Sequence, residues 1–120
     1  MRNIKFRAWG KNSNEFMHNG ESEGLTISEL GSLPDLDLWE LSQYTGLKDK
    51  NGVEIYEGDI VTTDCNEVTQ MGDNWVVEYG HTGLHQLAIG SFKYQIHKIV
   101  FNDWKLEVLG NIYENKELLK

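Results

Sequence analysis

Residues 43–61 read QYTGLKDKNGVEIYEGDIV, and they carry the clearest structural signals of the chain. Asn51-Gly52 is a dipeptide that readily takes the positive φ values of a tight hairpin turn. Val53 to Tyr56 predicts the start of the strand that follows this turn. Glu57-Gly58-Asp59 predicts a second turn or a bulge, and Ile60 to Thr63 predicts another strand. The stretch therefore predicts consecutive β-strands joined by tight turns.

Segments on both sides of this stretch predict further strands. Ile4 to Trp9 alternates in polarity, so Ile4, Phe6 and Ala8 share one face while Lys5, Arg7 and Trp9 share the other. Glu15 to His18 is interpreted as a returning strand that completes an N-terminal hairpin. The last residues predict a short C-terminal helical turn that is capped by Asn115. The other predicted strands are Leu38–Tyr44, Trp75–Tyr79, Leu84–Ile89, Tyr94–Phe101 and Leu106–Tyr113.

Length and composition limit the class of protein. The chain has 120 residues, which predicts a single domain over 1–120. Four Trp, five Tyr and four Phe supply a core that a disordered acidic chain would lack. The single cysteine, Cys65, allows no intrachain disulfide and favours a reducing cytoplasm. No apolar stretch is long enough to span a membrane. The short strands joined by Gly and Asn turns predict a mainly β fold, a small barrel or sandwich.

The net charge of −8 is distributed unevenly. Met1 to Lys11 contains four basic residues and no acidic residue, and we call this segment the basic arm. Asn12 to Leu47 and Asn51 to Phe92 contain seven acidic residues each and no basic residue. We call these two acidic segments the acidic body. The basic arm has two interpretations: it neutralises the acidic body internally, or it contacts an anion or a neighbouring subunit. The overall field repels phosphates, so nonspecific nucleic-acid binding is not expected.

Three carboxylates, Glu54, Glu57 and Asp59, form the densest acidic group beside an apolar strand. Paired carboxylates can hold a hard cation or act as acid and base, but Glu-Gly-Asp is also ordinary turn chemistry. The chain contains none of the motifs G-x-S-x-G, P-loop or G-x-G-x-x-G. We therefore predict no enzyme activity and no cofactor.

Histidine and cysteine give weak signals. His81, His85 and His97 suggest a metal site, but the neighbouring glycines disfavour a helix there, and in a strand the first two lie too far apart for simple chelation. Cys65 has no CxxC partner and is interpreted as a small, semi-buried residue. No metal site is predicted.

The basic and aromatic residues of the first strand are the better candidate for ligand binding. Lys5, Arg7 and Trp9 share a face, and a guanidinium beside an indole can hold a base and its phosphate. Tyr44 and Tyr56 can add stacking surfaces. The alternative is that Trp9 and both tyrosines pack in the core or at a subunit interface.

Three segments resemble the YopX family of phage and prophage proteins: Ile4–Trp9, residues 43–61, and Leu109–Asn115 followed by Leu118-Leu119. The resemblance implies a bacteriophage or prophage origin, an SH3-like barrel around the second segment, and self-association. It implies no activity. The family usually has Asp after the tryptophan of the first motif, where this chain has Gly10, so any cap or ion pair of that Asp is not expected here.

These observations lead to three functional hypotheses. The first is a non-enzymatic phage accessory protein in the host cytoplasm, a homo-oligomeric module that sequesters a small nucleotide signal of host defence. The second is an acidic protein-interaction module that mimics nucleic acid and inhibits a basic host protein. An enzyme that uses Glu54, Glu57 and Asp59 is a third, more distant hypothesis.

Overall fold

A computed structural model of the chain describes residues 5–16, 25–26, 38–64, 74–80, 85–89, 92–101 and 105–119. The described residues form strands, one short α-helix and a terminal 3-10 turn. The strands are β1 (Lys5–Gly10), β2 (Leu25–Thr26), β3 (Trp39–Lys48), β4 (Glu54–Tyr56), β5 (Asp59–Thr63), β6 (Trp75–Tyr79), β7 (His85–Ile89), β8 (Phe92–Gln95) and β9 (Leu106–Asn111); the helix is α1 (Ile96–Phe101), and the 3-10 turn is Lys116–Leu119.

The strands are arranged in two antiparallel sheets. The first has the order β2-β1-β3-β4, and the second has the order β8-β7-β6-β5-β9. In the first sheet, Ala8 of β1 lies opposite Leu41 of β3, and Trp9 lies opposite Glu40. In the second sheet, β5 is the strand that joins β6 to β9. Neighbours in sequence are thus neighbours in space for β5 to β8, as hairpin connections require.

The core lies mainly on the inner face of the second sheet. Its members are apolar side chains from five strands and from α1, which packs against β7 and β8. The alternation of β6 places Trp75 and Val77 inwards, as its period-two pattern predicts. The buried cluster consists of Ile55, Val61, Trp75, Val77, Leu87, Ile96, Ile99 and Leu106.

The turn between β4 and β5 holds the two sheets together. Gly58 N–H donates to the Val77 carbonyl of the second sheet, and Glu57 N–H donates to the Gln43 carbonyl of the first. The Gly58 carbonyl also accepts from the N–H of Ile112, just beyond β9. Gly58 has φ of 86°, a left-handed conformation that glycine adopts without steric cost. The Glu57-Gly58 turn is therefore both the connection and the fastening between the sheets.

The prediction of a mainly β fold is confirmed, and so are the two turns of residues 43–61. Asn51-Gly52 lies between β3 and β4, and Glu57-Gly58 lies between β4 and β5. The two described sheets are not closed into a barrel. Each sheet has two different edge strands, β2 and β4 in the first and β8 and β9 in the second. The described strands therefore form two open sheets and not the SH3-like barrel that the resemblance implied.

One predicted strand is wrong in its second half. Tyr94 to Phe101 was expected to be extended, but β8 ends at Gln95 and α1 begins at Ile96. Ile96 and Ile99 are three residues apart, so one face of a helical turn can bury both, and both enter the core. Their β-branched side chains favour strands in isolation, and this tertiary contact overrides that preference.

Two terminal segments and one internal strand differ in part from their predictions. A helical turn follows Asn115, but the Asn115 Oδ1 accepts backwards from Asn111 N–H. The predicted strand Leu38–Tyr44 is longer, since β3 continues to Lys48. Phe16 forms an isolated bridge with Trp9, while Met17 and His18 of the expected N-terminal hairpin lie outside the described residues.

No helix in the described part of the chain is long and apolar enough to cross a membrane. The single domain over 1–120 stays a prediction.

Candidate functional site

Lys5 of the basic arm faces the acidic body directly. Its Nζ lies 2.5 Å from Glu54 Oε2 and 4.9 Å from the centre of the Tyr44 ring. The Lys5 and Glu54 side chains are only 21% and 13% exposed. The ammonium is therefore held between a carboxylate and an aromatic face at the side of the first sheet, where both contacts stabilise its charge.

Arg7 has a deeper set of partners. Its Nη2 lies 2.7 Å from Asp59 Oδ1 and donates to the Glu57 carbonyl at 3.2 Å. The guanidinium also lies over the Phe16 ring at 4.7 Å and the Tyr56 ring at 5.0 Å. Burial raises the pKa of the Asp59 carboxyl, and the Arg7 charge and the Tyr56 N–H oppose part of that rise. Arg7 is thus the counter-charge of a carboxylate that is 2% exposed.

The five residues of the predicted ligand platform do not lie on one open surface. Tyr44 and Tyr56 are 5% and 6% exposed, with ring centres 5.4 Å apart. Together with Lys5 and Arg7 they form an internal cluster across β1, β3 and β4. Trp9 is also buried, at 8% exposed, but it faces a separate groove. The basic arm neutralises buried carboxylates of the body, in agreement with the internal interpretation of the charge pattern.

The three clustered carboxylates point to three different partners. Glu54 pairs with Lys5, Asp59 pairs with Arg7, and Glu57 Oε2 lies 3.0 Å from Nε2 of the buried His85. Burial raises the pKa of the Glu57 carboxyl, but the hydrogen bonds from His85 and from Gln43 N–H lower it by more than burial raises it. The pKa of Glu57 therefore lies below its ordinary value. This divergence leaves no shared oxygen site for a cation among them.

The part of the chain that the structure describes contains no group of three or more His, Cys, Asp or Glu side chains that could hold a metal ion. His81 and Cys65 lie outside the described residues, as does the side chain of His97. His85 is the one of the three candidate histidines whose partners are described, and it binds Glu57 and packs edge-on against Tyr79, with ring centres 5.3 Å apart.

A groove of about 680 Å³ lies where β1 meets the C-terminal segment. Its aromatic wall is Trp9 stacked on Tyr113, with ring centres 5.3 Å apart and an interplanar angle of 18°. Phe16 contacts both rings edge-on and fixes the pair. The full lining is Trp9, Lys11, Glu40, Ile112, Tyr113, Lys116 and Leu119.

The electrostatics of this groove differ from those of the rest of the molecule. It contains two lysines and one carboxylate, on a chain whose net charge is −8. Lys11 lies 3.7 Å from Glu40 in an exposed pair, in which the two side chains are 45% and 54% exposed. Such exposed pairs are weak, so Lys11 is available to a stronger anion. The groove combines the partly exposed ring of Tyr113, which stacks on the buried Trp9, with two ammonium groups and the volume of a small-molecule pocket.

Sequence reasoning found only part of this groove. Trp9 was among the predicted binding residues, and Lys11 was counted in the basic arm. Tyr113 and Lys116 were missed, because their approach to β1 spans the whole chain. The one available signal was the aromatic residue in Leu109-Gly110-Asn111-Ile112-Tyr113, the last of the three segments singled out in the sequence.

Two of three comparisons with known proteins find a match. The family model described as "YopX protein" matches residues 5–120. The crystal structure of protein EF1440 from Enterococcus faecalis is similar over 100% of both chains, with a TM-score of 0.64 and 28% sequence identity. A search of curated proteins finds no match.

Proposed function

The chain belongs to the YopX family, and from that premise we propose that it is a non-enzymatic phage or prophage accessory protein that binds a small nucleotide. The site is the groove between β1 and the C-terminal segment. The proposed role is to sequester a nucleotide signal of host defence in the cytoplasm of the host bacterium. No chemical step on the nucleotide belongs to this function.

One observation supports the nucleotide most directly: the stacked pair Trp9–Tyr113 shares a groove with Lys11 and Lys116. A base offers a flat ring to an aromatic wall, and its phosphate offers charge to ammonium groups. Glu40 gives the same groove an acceptor for ribose hydroxyls or amino groups. A single small molecule can use all three features, whereas a long nucleic acid meets the repulsion of the acidic body.

Self-association is part of the proposal. Large apolar side chains are exposed on both sheets, and an interface between subunits would remove them from water. A homo-oligomer carries one groove per subunit, which suits a protein that removes a signal by binding it. Light scattering on the purified chain tests this part, and a monomer at micromolar concentration would contradict it. The exposed apolar side chains are Leu38, Leu41, Val53, Tyr79, Phe92, Leu109 and Leu119.

The competing hypothesis, a surface that mimics nucleic acid, has less support. A mimic needs carboxylates that face solvent in a regular array. Glu54, Glu57 and Asp59 instead point inwards to Lys5, His85 and Arg7. The acidic segment Asn51 to Phe92 therefore presents less negative charge to solvent than its seven acidic residues suggest.

The direct test is a binding screen with purified protein. Mono- and dinucleotides, linear and cyclic, are added in a thermal-shift assay, and hits are measured by calorimetry. We expect one class of nucleotide to raise the melting temperature, and Lys116→Gln to weaken its binding about five- to tenfold through loss of one charged contact. Lys48→Gln, an exposed lysine outside the groove, is the matched control.

Three results would contradict the proposal. The first is the absence of a shift with any nucleotide. The second is chemical conversion: chromatography of the released ligand should recover it intact, and a changed product would mean an enzyme. Equal weakening by Lys48→Gln and Lys116→Gln would place the binding outside the groove.

A further inference from the structure

Glu40 of β3 supplies the carboxylate among the described residues that line the groove between β1 and the C-terminal segment. In the antiparallel register of the first sheet, Glu40 lies directly opposite Trp9 of β1. Residues that lie directly opposite in an antiparallel pair project from the same face of the sheet, with Cβ atoms about 4.5–5.5 Å apart. The Glu40 side chain therefore stands beside the indole ring on which Tyr113 stacks.

Tyr113 is fixed over the same face of the first sheet. Its ring centre lies 5.3 Å from that of Trp9, and its hydroxyl lies 3.1 Å from Ser42 Oγ. Ser42 follows Glu40 by two positions on β3, so both side chains project from one face of the strand, about 7 Å apart along it. A base that stacks on the partly exposed Tyr113 ring therefore has an edge within reach of the Glu40 carboxylate.

The protein itself competes only weakly for the Glu40 carboxylate. Among the described residues its ion partner is Lys11, whose Nζ lies 3.7 Å from Oε1, and the two side chains are 45% and 54% exposed for Lys11 and Glu40. A pair this exposed contributes little, so a ligand with better donors can replace it. The groove thus presents acceptors at Glu40 and donors at Lys11 and Lys116.

The arrangement of donors on the bases decides which base suits this wall. Guanine carries its N1–H and its 2-amino group side by side, and these two donors match the two oxygens of one carboxylate. Adenine and cytosine place a ring-nitrogen acceptor next to their amino group, and uracil flanks its single N–H with two carbonyls. Those acceptors repel a carboxylate, so guanine is the base that pairs best with Glu40.

We propose that the groove is selective for guanine nucleotides and that Glu40 is the residue that reads the base. This inference rests on the proposed function, since it names the class of nucleotide that the same groove binds. The guanine ring lies against Tyr113 with its two donors on Glu40, and the phosphate lies at Lys11 and Lys116. A polar group placed to bind an N–H of the ligand discriminates against the analogue that lacks it.

The experiment compares 5′-monophosphates that differ by single groups. Inosine monophosphate lacks only the 2-amino group of guanosine monophosphate, and deoxyguanosine monophosphate lacks only the 2′-hydroxyl. Binding to the full chain is followed by NMR chemical shifts up to millimolar nucleotide, so that weak binding is detected. We expect the guanosine nucleotide to bind about five- to tenfold more tightly than the inosine and adenosine nucleotides, through the charged contact to Glu40. The deoxy nucleotide should bind as tightly as its ribose counterpart.

Variants separate recognition of the base from recognition of the phosphate. Glu40→Gln keeps the shape of the side chain and removes its charge, so the preference for guanosine over inosine monophosphate should fall below about twofold. Lys116→Gln should weaken all the monophosphates by a similar factor, because its contact is with the phosphate. Glu107→Gln is the matched control, since its carboxylate lies 3.6 Å from Lys50 in a similarly exposed pair outside the groove.

Equal binding of the guanosine, inosine and adenosine nucleotides would overturn the guanine assignment and leave the proposed function standing. Weaker binding of the deoxy nucleotide would also overturn it, because Glu40 would then read the ribose. Equal effects of Glu40→Gln and Glu107→Gln would show that only the overall charge matters, with the same result. Absence of binding by guanosine monophosphate at millimolar concentration likewise overturns the guanine assignment, whereas the proposed function fails only if no nucleotide of the wider screen binds.

Discussion

Arg7 Nη2 and Asp59 Oδ1 lie 2.7 Å apart and join the N-terminal strand to β5, across fifty-two positions of sequence. The Asp59 side chain is 2% exposed and the Arg7 side chain 17%. A charge pair at this depth is worth little if both members are replaced together but costs much if one is left alone.

Arg7→Met should destabilise the protein by about 3–5 kcal/mol, because it leaves the Asp59 carboxylate buried without its counter-charge. Urea denaturation measures the loss. The double variant Arg7→Met/Asp59→Asn should lose less than the sum of the two single variants. Lys11→Gln, which removes an exposed pair with Glu40, is the control and should cost less than about 1 kcal/mol. Equal losses of unfolding free energy in Arg7→Met and Lys11→Gln would contradict a stabilising role for the buried Arg7–Asp59 pair.

Acid should destabilise the protein through Glu57. Its pKa is lowered in the folded state, so its contribution to stability is complete above about pH 4.5, the ordinary glutamate value, and is lost as the pH falls through the lower folded value. Asp49 acts in the same sense, since hydrogen bonds from Val108, Val53 and Asn51 outweigh the effect of its burial on the pKa. Asp59, whose pKa is raised, acts in the opposite sense: its contribution is lost as the pH rises.

The measurement for this prediction is the free energy of unfolding between neutral pH and the acid transition. Glu57→Gln should be less stable than the wild type at neutral pH by about 1–3 kcal/mol, the range for a charged hydrogen bond. It should also lose less stability on acidification. Glu40→Gln, at an exposed position, is the comparison. An acid profile for Glu57→Gln that runs parallel to the wild type would rule out this source of pH dependence.

Gly58→Ala and Gly46→Ala should each cost about 1–2 kcal/mol, because both glycines have a positive φ, 86° and 89°, that strains an alanine backbone. Space does not distinguish the two positions. An added Cβ meets no atom within 4 Å at Gly46, and at Gly58 it makes an ordinary van der Waals contact, 3.4 Å from Ile112 and Tyr113. Thermal unfolding should therefore give the two variants similar melting temperatures. A much lower melting temperature for Gly58→Ala would mean that the junction between the sheets does not accommodate a methyl group.

Asp49→Ala should cost about 2–4 kcal/mol, because one carboxylate serves three backbone donors. Its Oδ1 accepts from Asn51 and Val53 within the β3–β4 turn, and its Oδ2 accepts from Val108 of β9. Denaturant unfolding gives the loss. Asp64→Ala, which removes an exposed acceptor for Lys105 N–H, is the control and should cost less than half as much. A similar cost for both variants would mean that Asp49 acts only as a local turn residue.

Local signals in the sequence predicted the local structure. Asn51-Gly52 and Glu57-Gly58 determine their turns through backbone geometry that few residues other than glycine adopt freely. The alternation in Trp75–Tyr79 predicted β6, since one face of that strand enters the core. Tyr94–Phe101 failed because its β-branched and aromatic residues suit both a strand and a buried helical turn, and only packing against β7 decides between them.

The candidate site was harder to predict because its contacts are non-local. Lys5 and Arg7 looked available to a ligand, since no acidic residue lies near them in sequence. Their partners Glu54 and Asp59 come from β4 and β5, and the charge pattern alone does not assign those pairs. Trp9 lies on the first strand, as its alternating pattern predicted. Its stacking partner Tyr113 is reached only after both sheets have formed.

The Trp9–Tyr113 stack also has a consequence for biosynthesis. One aromatic face of the first strand is covered by a residue that leaves the ribosome among the last of the described chain. Until then, that face remains open to chaperones and to other nascent chains, whichever strands have already paired. A stalled or truncated translation product that ends before Tyr113 would therefore leave this face of Trp9 uncovered and open to aggregation.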